Sequence, residues 1–188
     1  MAKPAYPVND IKGWMSPKEL QWLYEQAQKM DRIVEIGCWH GRSTHALLSG
    51  CRGTVYAVDH WQGSPGANGQ LLFACRDVKT MDVFAAFMKN VGGFANLQPI
   101  KMASLEAVGS FADKSVNMVF IDGSHLYEAV KADILAWLPK TRKLISGHDY
   151  GHKVWGPGVA QALHEIFGTD YEIGPGGIWF KWLEEAHG

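Results

Sequence analysis

The sequence lacks the features that mark most specialised classes of protein. It holds only three cysteines (Cys38, Cys51 and Cys75) and no Cys-x-x-Cys pair, so we expect reduced thiols and neither a disulfide framework nor a zinc site. The formal net charge is −1 and basic residues are scattered, which argues against nucleic acid or an anionic membrane as a partner. No apolar run reaches the roughly 20 residues of a membrane-spanning helix, and the first residues lack the apolar core of a signal peptide. These absences favour a cytoplasmic globular protein.

Short apolar segments are the main feature that the sequence does have. With 188 residues, of which 47% are hydrophobic, the chain is expected to form a single domain over 1–188. A Ser-Pro-x-Glu start signal predicts a first helix over about 17–30 that precedes the sheet. Near-continuous apolar runs that end in small or acidic residues predict buried parallel strands. These runs are Arg32–Gly37, Thr54–Asp59, Leu97–Met102, Val116–Asp122 and Lys143–Asp149.

Helical patterns between these runs give the βαβ alternation of a doubly wound α/β fold. After residue 149 the pattern changes to a Gly/Pro loop, a helix through Phe167 and two short strands joined by Gly-Pro-Gly-Gly. We therefore expect a mostly parallel sheet with an antiparallel C-terminal hairpin strand. The other predicted helices are Ser43–Ser49, about 70–91, Leu105–Phe111 and Leu126–Trp137, and the hairpin strands lie near Tyr171–Ile173 and Ile178–Trp182.

The stretch Ile33–Thr44, IVEIGCWHGRST, has the strand–loop–helix context of a nucleotide-binding loop. Three residues separate its two glycines where a P-loop needs four, and Arg42 stands in place of the P-loop lysine. Trp39 occupies the place of the middle glycine of a dinucleotide fingerprint, where the backbone must approach a pyrophosphate closely. These departures argue against a pyrophosphate and leave room for a nucleoside without phosphates. The helix start after Gly41 can still receive a carboxylate.

Asp59 ends the second run, 22 positions after Gly37. An acid about 20 residues past the glycine loop can accept both ribose hydroxyls of an adenosine. A ribose and a small anionic group without a pyrophosphate describe S-adenosylmethionine, whose ammonium end would lie near Glu35. In an open α/β sheet such a ligand lies outside the carboxyl ends of the strands, which is where these residues fall.

On these residues the chain resembles the class I S-adenosylmethionine-dependent methyltransferases, in particular methyltransferase family 24. The stretches VEIGCWHGRST, VYAVDHW, VFIDGSHLYEAVKADILAWLP and SGHDYGHKVWGPGVAQAL carry the resemblance and span Val34–Leu163, about two thirds of the chain. The resemblance implies a Rossmann-like doubly wound seven-stranded sheet with a reversed final strand. It implies cofactor contacts at Glu35, Gly37 and Gly41, with the ribose on Asp59 and the adenine beside Ala103 and Ser104. We also expect three further cofactor-binding residues: Ser43, His60 and Asp122.

The second half of the predicted site lies where the fourth and fifth runs end. Asp122, His125, His148 and Asp149 would meet there on one edge of the sheet. In one interpretation, Asp122 and Asp149 hold Mg²⁺ or another divalent cation that lowers the pKa of the attacking hydroxyl. Related sugar and catechol O-methyltransferases work this way, although Tyr150 stands where they usually place a third ligand. In the other interpretation, His125 or His148 is a general base.

The crowding of acids and histidines favours O-methylation of a small-molecule acceptor, because an oxygen nucleophile must lose its proton. Two alternatives stay open: a protein that binds S-adenosylmethionine without transferring methyl groups, and a metal-dependent hydroxylase or hydrolase. A homo-oligomer whose partner subunit closes the pocket is a further expectation. Asp133, inside a helix, is expected to be solvated or locally bonded, and His40 to fill its turn. The loops His60–Leu72 and Tyr150–Gly158 should shape the acceptor pocket through His60, Trp61, His152 and Trp155.

Overall fold

A seven-stranded mixed sheet with the strand order β3-β2-β1-β4-β5-β7-β6 organises the chain. The computed structural model describes residues 6–7, 10–64, 70–71, 73–153 and 156–183. The strands are β1 (Arg32–Ile36), β2 (Thr54–Asp59), β3 (Leu97–Lys101), β4 (Val116–Ile121), β5 (Thr141–Gly147), β6 (Glu172–Ile173) and β7 (Trp179–Trp182). The helices are α1 (Pro17–Ala27), α2 (Arg42–Gly50), α3 (Val83–Val91), α4 (Ser104–Ala107), α5 (Tyr127–Trp137) and α6 (Gly156–Phe167).

The direction of the strands confirms the predicted fold class. β1 to β5 pair in parallel, β7 runs antiparallel to β5, and β6 runs antiparallel to β7. The chain runs from β1 out to β3 and then returns to β4 on the other side of β1. The sheet therefore reverses its order between β1 and β4, which is the switch point where open α/β sheets bind ligands.

Side chains alternate across the central strands, so each face of the sheet has its own apolar layer. Met118 and Phe120 of β4 belong to the layer that includes residues of α1, α2 and α3. Val119 and Ile121 belong to the layer on the opposite face, with residues of α5 and α6. This two-sided burial explains why β4 is an almost continuous apolar run.

Three helix predictions were wrong in extent. The helix expected over Leu105–Phe111 is α-helical only to Ala107 and continues as a 3₁₀ segment, Val108–Ser110. α1 ends at Ala27 instead of Met30, and two tight turns follow it before β1. The helix expected over about 70–91 does not form as one piece, because Asp82 starts a new helix: its carboxylate accepts a hydrogen bond from the amide of Ala85 at 3.0 Å and caps α3. A 3₁₀ segment, Phe73–Lys79, precedes it.

Two further observations bear on the predicted class. The three cysteines are free, as expected. Among the described residues, no helix has the length and apolar character required to cross a membrane.

Candidate cofactor and acceptor site

The carboxyl ends of β1 to β5 open into one cavity of about 830 Å³. A volume in this range holds a drug-sized ligand or a cofactor with a small second ligand. Two of the predicted site residues, Glu35 and Gly41, do not line the cavity. The predicted site residues that do line it are Gly37, Ser43, Asp59, His60, Ala103, Ser104, Asp122, His125, His148 and Asp149.

The glycine loop between β1 and α2 is a tight turn that needs its first glycine. Gly37 has a φ of +82°, and a Cβ there would lie 2.3 Å from the carbonyl oxygen of Asp122. Gly41, at a φ of +90°, is the N-cap of α2 and offers no side chain to cap the helix. The turn places Ser43, in the first turn of α2, on the cavity wall. An uncapped helix N-terminus at this place favours an anionic group.

Asp59 is fixed by the backbone of the same loop. Its Oδ2 accepts hydrogen bonds from the amides of Cys38 (2.9 Å) and Trp39 (3.0 Å), and its Oδ1 accepts one from the amide of Trp61 (2.6 Å). An ionised carboxylate has about four acceptor positions, so one position on Oδ1 is left for a ligand. His60 follows it, with Nδ1 3.9 Å from Oδ1. Asp59 thus has room to accept one further hydrogen bond, where the sequence predicted bonds from two ribose hydroxyls.

Glu35 lies behind the cavity wall. Its side chain is fully buried, its Oε2 accepts a hydrogen bond from the hydroxyl of Thr44, and its Oε1 has no hydrogen-bond partner among the described residues. Burial raises the pKa of the Glu35 carboxyl to about 7, although the hydroxyls of Ser43 and Thr44 favour the ionised form. Glu35 therefore links β1 to the first turn of α2 through its contact with Thr44.

His148 lies among three carboxylates at the end of β5. Its Nε2 donates to Oε1 of Glu19 at 2.5 Å, and its Nδ1 lies 3.6 Å from Asp122 Oδ1 and 3.5 Å from Asp149 Oδ2. Burial alone lowers the pKa of His148, but Asp122, Asp149 and Glu19 outweigh it and raise that pKa to about 12. The three carboxylates therefore favour the charged form of His148 at neutral pH. Burial raises the pKa of Asp122 even though His148 opposes the shift.

His125 and Asp149 form a second contact in this group. Nδ1 of His125 lies 3.0 Å from Oδ2 of Asp149, and both side chains line the cavity. Asp149 has a φ of +65°, a left-handed conformation that aspartate tolerates better than most residues. Burial raises the pKa of Asp149, but His148, His125 and His152 reverse this and lower it overall. Asp149 is thus an anion that holds His125 from one side.

Glu19 is the site residue that sequence reasoning missed. The sequence identifies it only as the capping-box partner of Ser16, and its Oε2 does accept a hydrogen bond from the Ser16 amide at 2.6 Å. Its other oxygen reaches His148 across the sheet. No local pattern predicts this contact, because α1 and the end of β5 meet only in the folded chain.

The segment before α1 forms another part of the cavity wall. Lys12, Gly13, Trp14 and Met15 line the cavity, and Arg42 holds them by donating to the carbonyls of Met15 (Nε, 3.0 Å) and Ile11 (Nη1, 2.7 Å). Arg42 stands where a P-loop lysine would bind phosphate, but it donates its hydrogen bonds to backbone carbonyls of the protein itself.

His40 fills the turn, as expected, and also pairs with another segment. Its Nε2 lies 2.8 Å from Oδ2 of Asp77, which Lys12 contacts at 2.6 Å. The two contacts lower the pKa of Asp77, with Lys12 as the larger cause. His40 thereby ties the glycine loop to the 3₁₀ segment before α3.

The two predicted acceptor loops are described in part. Trp61 is buried, packs at a tilt against Phe84 and Phe87, and donates from Nε1 to the carbonyl of Trp39 at 2.9 Å, so it anchors its loop. His152 is exposed and lines the cavity. Trp155, with most of 65–72, lies outside the described residues.

The strand order, the glycine loop with its acid at the end of β2, and the shared cavity define a Rossmann-like methyltransferase fold. The sequence matches the family model described as a methyltransferase domain, that of methyltransferase family 24, over residues 34–150. This match covers more than half of the chain, and the chain therefore belongs to this methyltransferase family.

Known proteins agree with this assignment. Uncharacterized protein y4gI of Sinorhizobium fredii (strain NBRC 101917 / NGR234) is 31% identical over 181 residues, which cover 88% of this chain but 19% of that protein, so the chain spans only a small part of that relative's length. Three solved structures share the fold. Cofactor-bound Rv0187 from MTB has a TM-score of 0.65 at 16% identity over 94% of this chain and 84% of that chain. The O-methyltransferase NovP has a TM-score of 0.68 at 15% identity over 90% and 80% of the two chains. The O-methyltransferase from Bacillus cereus in complex with SAH has a TM-score of 0.57 at 16% identity over 94% and 84%.

Proposed function

We propose that this domain transfers a methyl group from S-adenosylmethionine to a hydroxyl oxygen of a small-molecule acceptor. The observation that carries the proposal is the single cavity that joins Gly37 and Asp59 on the cofactor side to Asp122, His125 and Asp149 on the other. A methyl donor and a proton acceptor must lie side by side for this reaction, and one cavity supplies both places.

The cofactor side fits an adenosyl ligand that carries a carboxylate. α2 begins at an uncapped glycine, so its first amides can receive the carboxylate, and Asp59 keeps one acceptor position for a ribose hydroxyl. Gly37 has no space for a side chain against Asp122, which keeps the two strand ends close beneath the ligand. S-adenosylmethionine, when bound, supplies a methyl group already activated on a sulfonium cation.

We assign the proton acceptor to His125. Because the carboxylate of Asp149 lies 3.0 Å from Nδ1 of His125, it favours a proton on Nδ1, which leaves the lone pair of the ring on Nε2. His125 at Nε2 then takes the hydroxyl proton of the acceptor. His148 is unsuited to this role, because its pKa of about 12 keeps it protonated.

One interpretation of the sequence places a metal at Asp122 and Asp149, and the charges around these two residues argue against it. Asp122, His148 and Asp149 offer ligand atoms within 4.8 Å of one another, which is close enough for a metal ion. A metal, however, needs a deprotonated imidazole, and both nitrogens of His148 face carboxylates. The imidazolium already supplies a positive charge between Asp122 and Asp149, where the cation was expected. We therefore propose methyl transfer without a metal.

Calorimetry with S-adenosylmethionine, S-adenosylhomocysteine and NAD, each with and without Mg²⁺, tests the cofactor. We expect both adenosyl ligands to bind, NAD not to bind, and Mg²⁺ to change neither result. Transfer of a labelled methyl group to a panel of hydroxylated small molecules, before and after EDTA, tests the reaction. Failure of both adenosyl ligands to bind would overturn the proposal. Binding without transfer to any acceptor would favour the non-catalytic alternative. Loss of transfer in EDTA would favour the interpretation in which a divalent cation activates the acceptor.

The expected partners stay predictions. The small acceptor agrees with a cavity of about 830 Å³ that must also hold the cofactor. The homo-oligomer, the absence of nucleic acid and membrane partners, and the cytoplasmic location rest on the sequence alone.

A further inference from the structure

One buried carboxylate on the cavity wall has no place in the mechanism above. Asp133, in the middle of α5, is 7% exposed and lines the cavity together with Ala103 and Ser104. Asp133 was expected to be solvated or locally bonded, but it is buried, and the side chain that bonds it, Ser104, belongs to α4. Its neighbours are the two residues that the family resemblance places beside the adenine.

The hydrogen bonds around Asp133 have a fixed direction. The indole Nε1 of Trp137 can only donate, and it lies 2.8 Å from Oγ of Ser104. Ser104 accepts that bond and directs its own hydroxyl proton to Asp133. The Ser104 hydroxyl thus holds the carboxylate from one side and uses one of its acceptor positions.

The remaining acceptor positions of Asp133 are not neutralised by the protein. Burial raises the pKa of Asp133 to about 6, opposed only by the Ser104 hydroxyl, and no described cation contributes. A buried carboxylate without a cation is costly unless a ligand supplies N–H donors. The ligand group expected at this place is the edge of a purine.

We propose that the carboxylate of Asp133 accepts a hydrogen bond from the 6-amino group of the adenosyl cofactor and so selects adenine over a base with oxygen at position 6. The inference rests on the proposed function, because it needs an adenosyl ligand in this cavity. An oxygen at position 6 would face the carboxylate as a second acceptor, and both would lose their hydrogen bonds. Discrimination of this kind is strong, because the buried polar groups are left unpaired.

A comparison of two ligands tests the proposal. Calorimetry measures the affinity of S-adenosylhomocysteine and of S-inosylhomocysteine, which differ only in the purine. For the wild type we expect the adenosyl ligand to bind about 10- to 100-fold more tightly, the range for a hydrogen bond to a charged group. In Asp133→Asn the ratio should fall to within about threefold, because the amide can either accept or donate. Glu128→Gln, an exposed change of the same charge on α5, is the matched control and should keep the wild-type ratio.

Each other outcome has a distinct meaning. Equal affinity of the wild type for both ligands would overturn the inference, and so would an unchanged ratio in Asp133→Asn. If Asp133→Asn does not fold, Ser104→Ala takes its place: it removes the hydroxyl that holds the carboxylate and should lower the ratio, while an unchanged ratio there would overturn the inference. If the wild type binds neither ligand, the proposed function itself fails. Binding of S-adenosylhomocysteine with no role for Asp133 leaves the proposed function intact.

Discussion

Nε2 of His148 donates a hydrogen bond to Oε1 of Glu19 at 2.5 Å, although the two residues are 129 positions apart. The contact joins the first turn of α1 to the end of β5. Through it, the glutamate of the α1 capping box joins Asp122 and Asp149 in favouring the charged form of this imidazole. The N-terminal helix is therefore a structural part of the site and does more than cover the sheet.

Glu19→Gln should destabilise the protein by about 1–3 kcal/mol, because a charged partner of a buried imidazolium becomes neutral. The Glu19 pKa is lowered on folding: burial raises it, but the bonds from His148 and Ser16 outweigh burial. Its contribution is therefore present above the unfolded pKa of about 4.3 and is lost as the pH falls through the lower folded pKa. Urea unfolding at pH 7 and pH 3 measures this, with Glu25→Gln on the same helix as control. Equal losses at both pH values would contradict the ion pair.

The contact between His125 and Asp149 predicts a loss of rate without a loss of cofactor. His125→Gln and Asp149→Asn should each lower kcat by about 10²–10⁴-fold, the usual contribution of a general base. The affinity for S-adenosylhomocysteine should stay within about threefold, because neither residue holds the ribose or the carboxylate in the proposed site. His164→Gln, on the exposed side of α6, is the control. If cofactor affinity falls together with the rate, the two residues bind the cofactor instead.

Gly37→Ala should destabilise the protein strongly, by about 3–5 kcal/mol, or prevent folding. The added Cβ would lie 2.3 Å from a backbone oxygen of Asp122, at a φ of +82° that disfavours any side chain. Gly109→Ala is the matched control, since nothing lies within 4 Å of the new Cβ there. Urea unfolding of the two variants gives the comparison. Similar stability of both would mean that β1 and β4 can separate at their ends.

Arg42→Lys should loosen the segment before α1 without unfolding the domain. Arg42 donates from two nitrogens to the carbonyls of Met15 and Ile11, and a lysine cannot make both bonds in the same geometry. We expect protease cleavage within the segment that precedes α1 to become faster and cofactor affinity to fall severalfold. The thermal midpoint should change little. Arg52→Lys, on a turn outside the cavity, should change none of these. Unchanged cleavage would contradict the role of Arg42.

The sequence predicted those features that local chemistry determines. Runs of apolar residues predicted the five parallel strands. Gly37 and Asp59 were predicted to lie at the ends of β1 and β2, and both line the cavity there, because each position depends on neighbours in the chain. Asp59 was placed correctly at the end of β2, but its three amide contacts could not be predicted, since they depend on the path of the loop. The contact of Glu19 with His148 and the burial of Asp133 were missed for the same reason. Both meet their partners only through packing between distant elements.

The buried carboxylate of Glu35 predicts a pH-dependent stability that one substitution should remove. Its pKa is about 7 in the folded protein, above the ordinary value of 4.5, chiefly because of burial. The folded state therefore binds this proton more tightly than the unfolded state. The resulting stability is fully present below pH 4.5 and is lost as the pH rises through 7.

Glu35→Gln keeps the acceptor for Thr44 but cannot ionise, so its stability relative to the wild type should rise with pH. Between pH 5 and pH 8 we expect a relative gain of about 2–3 kcal/mol, from 1.36 kcal/mol per pKa unit. Urea unfolding of both proteins across this range measures the difference. Asp133 titrates in the same window in both proteins and cancels from the comparison. Glu106→Gln, an exposed change, should give a difference that does not vary with pH. A flat difference for Glu35→Gln as well would show that Glu35 ionises in the folded protein as readily as an exposed acid.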